Sequence, residues 1–340
     1  MPVRVVAPAR LHLGFVNLSP ARERLYGGLG VAISDLRTVV SAEATGGTGV
    51  ECTDPEARRY AERTLELLDW SDPSDLPGTI VRIEESLPRH VGLGSGTQLA
   101  LAVLTAIGIA HQDAHYTSVD PRALAPQLGR GGRSGVGVAA FETGGFVLDV
   151  GHPTGQFTAE PPERGSWTVP PIAARHEIPD DWRFVVVLPD SDPGRSGTDE
   201  DDAMRRTVQN ADPAVADEIS RIIIHRVLPA IADGDADAFG AAIADVGRLN
   251  GAWYADAQGG VYRPPVGTIV EELSSDPAVA GAGQSSWGPA TYAITTEERV
   301  SEAIDAAQRA LAEAGVGGTV AVTQGRNRGA NVEEDERKPR

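Results

Sequence analysis

Residues 87–97, with the sequence LPRHVGLGSGT, constrain the fold more than any other stretch of this chain. They predict the end of a strand, a glycine-rich turn and the start of a helix over residues 98–111. Because that helix consists almost entirely of Leu, Ala, Val and Ile, we expect it to be buried. A short hydroxyl side chain at Ser95 or Thr97 is suited to cap its first turn.

The same turn is suited to bind an anion. Gly92, Gly94 and Gly96 let the backbone approach a ligand closely, and the helix dipole places partial positive charge beside Ser95 and Thr97. No lysine follows the last glycine, so the turn is not a nucleoside-triphosphate P-loop, and its glycine spacing is not that of a dinucleotide-binding turn. The alternative is an ordinary tight turn between a strand and a helix.

Composition narrows the classes of function. The chain has 340 residues, long enough for two domains or one two-lobed unit. It carries 48 acidic and 30 basic residues, for a net charge of −18, and Lys338 is its only lysine. We therefore expect no nucleic-acid and no membrane partner, and no catalytic lysine outside the C-terminal tail. An acidic surface that uses arginine in place of lysine also suggests a halophilic source.

Cysteine usage and hydropathy point to a soluble, cytoplasmic protein. Cys52 is the only cysteine, which excludes a disulfide framework and a thiolate metal cluster. The N-terminus alternates like a strand and lacks the apolar core of a signal peptide. No apolar run reaches the roughly 18 residues that a membrane span needs. The sequence is compatible with a homodimer without requiring one.

The order of elements predicts an α+β protein. The first half is rich in strands, and the second half mixes helices with strands. A Pro- and Gly-rich passage over residues 151–182 is interpreted as a connection between lobes spanning residues 1–165 and 180–330, and residues 333–340 as a charged, frayed tail. The other predicted elements are strands at 3–18, 29–42, 79–86, 145–150, 183–188 and 318–323, a GGLG turn near 27–30, and helices at 54–69, 120–129, 213–233, 235–250, 265–275 and 297–314.

Two further glycine-rich loops have the same character. Residues 129–137 read GRGGRSGVG, in which Arg130 and Arg133 can bind phosphate through two N–H groups and Ser134 can donate a third hydrogen bond. Residues 281–288 carry Ser285 and Ser286, followed by Trp287. A surface loop paired with carboxylates and a structural turn are the respective alternatives. Three such loops in one chain favour a polyphosphate ligand.

A few titratable residues are candidates for chemistry. Alternation places Arg10 and His12 on one face of the first strand, where they could line a site or form an ion-paired strand. Glu142 and Asp149 flank a glycine pair and could serve as general bases or metal ligands. The acidic loop at 190–202 is interpreted as a solvated face, and the His111 and His115 pair as the polar end of a helix.

In this order, PARLHLGF, PRHVGLGSGT and GAGQSSWG resemble the three motifs of the GHMP kinase superfamily, over nearly the whole chain. The resemblance implies an N-terminal lobe like ribosomal protein S5 and a ferredoxin-like C-terminal lobe. One departure matters. Gly137 stands where mevalonate-type kinases have a catalytic Asp, and Pro126 and Gln127 stand where they have a magnesium-binding Glu. An ordinary kinase is therefore disfavoured.

GLGSGTQ together with GRGGRSGVGVAAFETGGFVLD is most similar to the β-ribofuranosylaminobenzene 5′-phosphate synthase family. That family joins 5-phosphoribosyl 1-diphosphate to 4-aminobenzoate or 4-hydroxybenzoate, with loss of diphosphate and CO₂, in methanopterin-type biosynthesis. The resemblance implies Mg²⁺ as cofactor. Alternatives are a small-molecule kinase using ATP and a non-catalytic nucleotide sensor. The implied roles are catalytic for Arg10, His12, Arg133 and Asp149, phosphate-binding for Gly92, Gly94, Ser95, Gly96, Thr97, Arg130, Ser134, Ser285 and Ser286, and metal-binding for Thr97 and Glu142.

Overall fold

The computed structural model describes residues 2–68, 76–111, 119–156, 162–192 and 198–334. In these ranges the first half of the chain, together with one strand from the C-terminal end, forms an eight-stranded, mainly antiparallel sheet. Its main path runs β12-β1-β2-β4-β3, while β5 and β6 pair with β2 and β7 pairs with β5. The strands are β1 (Val3–Asn17), β2 (Arg24–Thr48), β3 (Val50–Glu51), β4 (Pro77–Glu85), β5 (Phe146–Asp149), β6 (His152–Pro153), β7 (Ile172–His176) and β12 (Asn331–Glu334).

The long strand β2 contradicts the predicted GGLG turn. Residues 27–30 lie inside β2 and pair with β1 and β5, and the chain reverses earlier, between β1 and β2. These glycines instead make room for neighbours. A Cβ at Gly30 would lie 2.4 Å from Cγ1 of Val136. The glycine cluster thus marks a close approach between elements, which is the other common use of glycine inside a strand.

Helices α1 (Pro55–Leu67) and α2 (Ser95–Ala110) cover one face of this sheet. The Asp54 carboxylate caps α1 by accepting from the amides of Glu56 and Ala57, both at 2.9 Å. The expectation that the helix after the glycine turn is buried is confirmed, since most of α2 lies in one apolar cluster with β1, β2 and α1. The short helices α3 (Pro121–Leu124) and α4 (Val136–Glu142) follow, the first continued by a 3₁₀ turn over Ala125–Leu128.

The second sheet is antiparallel, with the order β11-β8-β10-β9. Read along the chain, its strands take the order 4-1-3-2, which is the ferredoxin-like arrangement implied by the sequence motifs. Its strands are β8 (Trp182–Pro189), β9 (Gly281–Gln284), β10 (Thr291–Thr296) and β11 (Gly318–Gln324). The accompanying helices are α5 (Thr198–Asn210), α6 (Pro213–Ile222), α7 (Leu228–Asp233), α8 (Ala236–Gln258), α9 (Val266–Ser275) and α10 (Val300–Glu313). The α+β fold class is thereby confirmed.

The boundary between the lobes differs from the sequence-based one. β7 extends the first sheet to residue 176, beyond the limit expected at 165, because its backbone pairs with β5. The chain also returns at its end, where β12 pairs with β1 and Arg4 binds Glu333 at 2.6 Å. Glu333 therefore belongs to a strand, not to a frayed tail, while residues 335–340 lie outside the described residues.

The two lobes share one apolar core. Phe146 from the first sheet packs edge-on against Phe239 of α8, with ring centroids 5.6 Å apart. Trp182 of β8 packs against the same ring at 4.9 Å. Leu11 and Leu29 extend the cluster into β1 and β2. This core fixes the cleft between the lobes, where the three glycine-rich loops meet. No helix in the described ranges is both long and apolar enough to cross a membrane.

Candidate active site

The glycine-rich turn and the first turn of α2 form an open cradle for an anion. α2 begins at Ser95, and the preceding Gly94 has a left-handed backbone with φ +81°. No side chain caps the helix, so the expected capping by Ser95 or Thr97 is wrong. A left-handed glycine turns the chain into the helix without a side-chain cap. The amides of Thr97 and Gln98 donate to the Gly94 carbonyl at 3.0 and 3.1 Å, which leaves the Ser95 and Gly96 amides, with the helix dipole, for a ligand.

Ser285 of the second lobe binds both the glycine turn and β1, and Ser286 binds β1. The Gly92 carbonyl accepts from the Ser285 hydroxyl at 2.7 Å and from the Arg10 guanidinium at 2.6 Å. Ser285 is fully buried, and its hydroxyl also accepts from the His12 amide at 3.0 Å. The Ser286 amide donates to the His12 carbonyl at 3.3 Å. The structure thus gives Ser285 a bridging role between lobes, in contrast to the phosphate contact expected from its hydroxyl.

Guanidinium groups flank the glycine turn. The Arg10 side chain lies against Gly94, where a Cβ would approach Arg10 Cγ to 3.1 Å. The Arg130 side chain lies against Gly96, where a Cβ would lie 2.8 Å from Arg130 Nη2. Tyr60 supports this arginine, with the Arg130 Cζ 5.3 Å from its ring centroid. Because glycine occupies both positions, two cations reach the turn, and the cradle gains the positive charge that suits phosphate.

The first half of β2 supplies a second, more polar recess at Gly28. A Cβ built on Gly28 would lie 2.6 Å from the Ser134 hydroxyl, 3.0 Å from His12 Nε2 and 3.2 Å from Asp149 Oδ2. A hydroxyl, an imidazole and a carboxylate, from three separate segments of the chain, therefore meet beside Gly28. The sequence placed His12, Ser134 and Asp149 among the candidates, and the structure brings these three together.

Asp149 is a buried carboxylate held by three donors. Its Oδ2 accepts from the Ser134 hydroxyl at 2.9 Å and from the Gly135 amide at 2.8 Å, and its Oδ1 accepts from the Gly151 amide at 2.9 Å. Burial raises the pKa of Asp149 to about 6, although these hydrogen bonds act in the opposite direction. At neutral pH the site therefore holds a fixed negative charge beside Gly28.

His12 has the opposite electrostatic character. Burial, and then the nearby Arg10 charge, lower the pKa of His12 to about 3. The imidazole is therefore neutral at physiological pH. Its Nε2 is buried and has no hydrogen-bond partner among the described residues. His12 can thus exchange a hydrogen bond with a ligand while adding no positive charge to the recess.

The loop before α4 joins the recess to the phosphate cradle. Arg133 is half-buried in this loop, and the Gln98 side chain of α2 donates to the Gly137 carbonyl at 2.8 Å. A Cβ at Gly137 would lie 3.2 Å from Thr97 Cγ2, so α4 packs closely on the first turn of α2. Thr97 is thereby held at the junction of the two loops.

Glu142 is not brought to this site. It ends α4, seven residues beyond Gly135, so it lies roughly 10 Å along the helix from the recess. Its carboxylate instead pairs with Arg122, whose Nη2 donates at 2.7 Å and whose Nε donates at 3.0 Å. The metal role expected for Glu142 therefore has no support from its position.

Of the predicted histidine pair, His111 has its Nε2 2.9 Å from the Thr79 hydroxyl. His115 lies outside the described residues.

Some residues of the site were missed by sequence reasoning. Gly28 was assigned to a turn, and Tyr60 was treated only as part of an amphipathic helix. The sequence signal for Gly28 was present in the GGLG quartet, which is as typical of a close backbone approach as of a turn. No sequence signal pairs Tyr60 with Arg130, since 70 residues separate them.

Two family models match the chain. GHMP kinases N terminal domain matches residues 58–145, and GHMP kinases C terminal matches residues 227–313. Two solved structures show the same fold at low identity. The first is mevalonate pyrophosphate decarboxylase from Streptococcus pyogenes, with a TM-score of 0.66 and 11% identity, which covers 96% of this chain and 97% of that one. The second is homoserine kinase from Cytophaga hutchinsonii, with a TM-score of 0.62 and 17% identity, which covers 98% of this chain and 97% of that one.

Curated relatives extend over nearly the full length. Beta-ribofuranosylphenol 5'-phosphate synthase of Methanothermobacter thermautotrophicus is 33% identical, covering 95% of this chain and 96% of the relative. The protein of the same name from Archaeoglobus fulgidus is 30% identical, covering 97% and 99%. On this similarity, and with the fold and the glycine-rich loops in place, the chain belongs to the beta-ribofuranosylphenol 5'-phosphate synthase family of the GHMP kinase superfamily.

Proposed function

We propose that this enzyme transfers the phosphoribosyl group of 5-phosphoribosyl 1-diphosphate to the ring of 4-hydroxybenzoate. The bond from the anomeric carbon to diphosphate breaks, and a bond to the carboxylate-bearing ring carbon forms. CO₂ then leaves, and the electrons of its bond restore the aromatic ring. The relatives are named for a phenol product, which favours 4-hydroxybenzoate over 4-aminobenzoate as the acceptor.

The observation that carries this proposal is the position of Asp149 beside the phosphate cradle. Loss of diphosphate leaves a cationic, oxocarbenium-like carbon, which a nearby carboxylate stabilises in a site that excludes water. Asp149 is fully buried and ionised above about pH 6, and its Oδ2 lies beside Gly28 together with the Ser134 hydroxyl and His12 Nε2. The neutral His12 on the other side adds no repulsion.

The glycine turn and its arginines would hold the donor. The outward amides at Ser95 and Gly96 suit the diphosphate, and the Arg130 guanidinium lies against the same turn. We assign Arg10 and Arg133 to the remaining phosphate oxygens, since both lie on segments that border the cleft. This positioning would hold the anomeric carbon at the edge of the recess, on the side of Asp149 and His12, and so use binding energy for orientation.

Mg²⁺ would accompany the donor. Within the described ranges, no group of three His, Cys, Asp or Glu side chains is placed to hold a metal. Mg²⁺ is commonly held by one or two carboxylates together with substrate phosphates. The Thr97 hydroxyl, which lies beside Gly137 near the N-terminal end of α4, would supply the protein ligand to an ion held chiefly by those phosphates. When bound, the ion would neutralise charge on the diphosphate leaving group.

A small-molecule kinase is the second reading. The fold neighbours with kinase names favour it, but the position of the kinase base is occupied by Gly137, which packs against Thr97. A kinase would consume ATP and release no CO₂.

The deciding experiment supplies the purified chain with Mg²⁺, 5-phosphoribosyl 1-diphosphate and 4-hydroxybenzoate labelled in its carboxyl carbon. Equal release of labelled CO₂ and diphosphate, both dependent on the phosphoribosyl donor, is the expected result. ATP hydrolysis stimulated by a small alcohol or acid, without CO₂ release, would overturn the proposal in favour of the kinase.

We further propose that the protein works in the cytoplasm at high salt. The net charge of −18 with a single lysine is the basis for the salt requirement, and the phosphorylated substrate, which does not cross membranes, is the basis for the compartment. A homodimer stays a prediction that size-exclusion chromatography with light scattering would check.

A further inference from the structure

A second cleft borders His12. It opens between β1 and α8, and Asn250 joins these elements by accepting from the Phe15 amide at 2.7 Å and donating to the Phe15 carbonyl at 3.0 Å. Gly14 lets α8 approach this closely, since a Cβ there would lie 3.0 Å from Val246 Cγ1. The cleft contains about 410 Å³ of space, with open solvent at its mouth included.

The walls of this cleft suit a flat ring. Phe15 packs against the His12 ring with centroids 4.8 Å apart, and Tyr254 packs against Trp287 at 4.3 Å. All four of these rings line the cleft, and Tyr262 adds a fifth. Aromatic side chains favour offset or tilted packing with another ring. The cleft thus offers contact for an aromatic ligand on more than one side.

Two buried nitrogen atoms at the cleft have no hydrogen-bond partner among the described residues. They are His12 Nε2 and Trp287 Nε1, on side chains whose residues are 4% and 7% exposed. A buried donor left without a partner destabilises the fold, so such atoms commonly face a ligand or water. The indole N–H can only donate, which calls for an oxygen on the ligand.

The lining also lacks charge. No Arg, Lys, Asp or Glu side chain of the described residues borders the cleft. A carboxylate in such surroundings gains no ion pair and loses water, which favours its departure as neutral CO₂.

We propose that this cleft is the acceptor subsite, and that Trp287 and Tyr254 are its specificity-determining residues. The aromatic acid would lie with its ring against Phe15 and Tyr254, and its para oxygen would accept from the Trp287 indole N–H. Its carboxylate-bearing carbon would then point toward His12 and the edge of the recess at Gly28, which the His12 imidazole borders. This inference rests on the proposed function, because it takes the donor to lie at the edge of that recess.

The test compares Trp287→Phe and Tyr254→Leu with a matched control, Trp253→Phe. Trp253 neighbours Tyr254 on α8 but does not line the cleft, so its variant makes the same chemical change outside the subsite. We expect the KM for 4-hydroxybenzoate to rise about tenfold or more in both cleft variants, with the KM for 5-phosphoribosyl 1-diphosphate within twofold. The control should leave both constants within twofold.

A second readout needs no turnover. Isothermal titration with 4-hydroxybenzoate and with benzoate measures what the para oxygen contributes to binding. Wild type should prefer 4-hydroxybenzoate, and Trp287→Phe should reduce that preference about tenfold, because the indole donor is gone. If Tyr254→Leu lowers Tm so far that it does not fold, Trp287→Phe, which keeps a planar ring, still decides the case.

The outcomes separate the two proposals. A wild-type enzyme that releases no CO₂ overturns the proposed function. An active wild type whose KM for 4-hydroxybenzoate and preference over benzoate are unchanged in Trp287→Phe overturns the acceptor subsite alone. A rise in the KM for both substrates together would equally overturn it, since that pattern indicates a general disturbance of the cleft.

Discussion

Replacing Asp149 by Asn tests whether the buried charge beside Gly28 is required for catalysis. The substitution keeps the size of the side chain and removes its negative charge. In the native site two amides and one hydroxyl all donate to the carboxylate. An Asn side chain accepts through one oxygen only, and its NH₂ group would face a donor. One hydrogen bond is therefore lost, at a cost of about 1–3 kcal/mol in stability.

A second contribution to the free energy of unfolding stabilises the variant relative to wild type. The pKa of Asp149 rises from 3.8 to about 6 in the fold, which corresponds to about 3 kcal/mol between its two protonation states. Because the folded pKa is the higher one, protonation of Asp149 stabilises the fold fully below about pH 3.8, and this contribution is lost as the pH rises through about 6. At pH 8 the native carboxylate carries that cost, and the neutral Asn does not. The two terms nearly cancel, so the Tm of Asp149→Asn should lie within a few degrees of wild type.

Activity should respond very differently. Removing one electrostatic contact to a developing charge commonly lowers kcat by about 10² to 10³. The assay is release of labelled CO₂ from 4-hydroxybenzoate between pH 5 and pH 8. Wild-type kcat/KM should fall below about pH 6 as Asp149 becomes protonated, and that acid limb should be absent in Asp149→Asn.

Two results would refute this reasoning. A variant that keeps more than a third of the wild-type kcat shows that the charge does not stabilise the transition state. A variant that is slow but retains the same acid limb shows that the titration belongs to another group, such as a phosphate of the donor.

Further predictions concern the recess, the phosphate cradle and the surface. Gly28→Ala should lower kcat at least tenfold, because the added carbon would crowd three functional groups, whereas Gly46→Ala, with nothing within 4 Å, should leave the rate unchanged. Arg130→Ala should raise the KM for 5-phosphoribosyl 1-diphosphate about 10- to 100-fold, and Arg221→Ala, in an exposed ion pair, should not. The Tm should rise between low salt and molar KCl, as the net charge of −18 is screened; a flat dependence would contradict the halophilic interpretation.

The sequence was a good guide where local pattern decides structure. The strand, turn and helix around residues 87–97 were predictable, because glycine spacing and an uninterrupted apolar run leave few alternatives. Glycine spacing likewise predicted a loop at residues 129–137. Arg10 and His12 were correctly placed on the cleft side of β1, since strand alternation alone determines the face of a residue.

Contacts between distant segments were not predictable from the chain alone. Ser285 has the sequence signature of a phosphate ligand, yet its hydroxyl is used by the His12 amide and the Gly92 carbonyl. Glu142 appears close to Asp149 in sequence, but α4 carries it to the opposite end of the helix. In both cases the deciding fact is which backbone group lies opposite the side chain, and only the tertiary fold determines it.

The position of negative charge gives a physical reason why this fold can support phosphoribosyl transfer in place of phosphoryl transfer. Mevalonate-type kinases have a catalytic Asp at the position that is Gly137 here, and Gly137 packs against Thr97 with no charge of its own. The charged carboxylate is instead Asp149, one strand away and beside Gly28. In the proposed mechanism, an anion beside the carbon that becomes positive takes the place of a base that activates a hydroxyl. On the proposed mechanism, restoring Asp at position 137 would therefore not restore phosphoryl transfer, because Asp149 and the uncharged acceptor cleft would still favour a cationic sugar and an aromatic nucleophile.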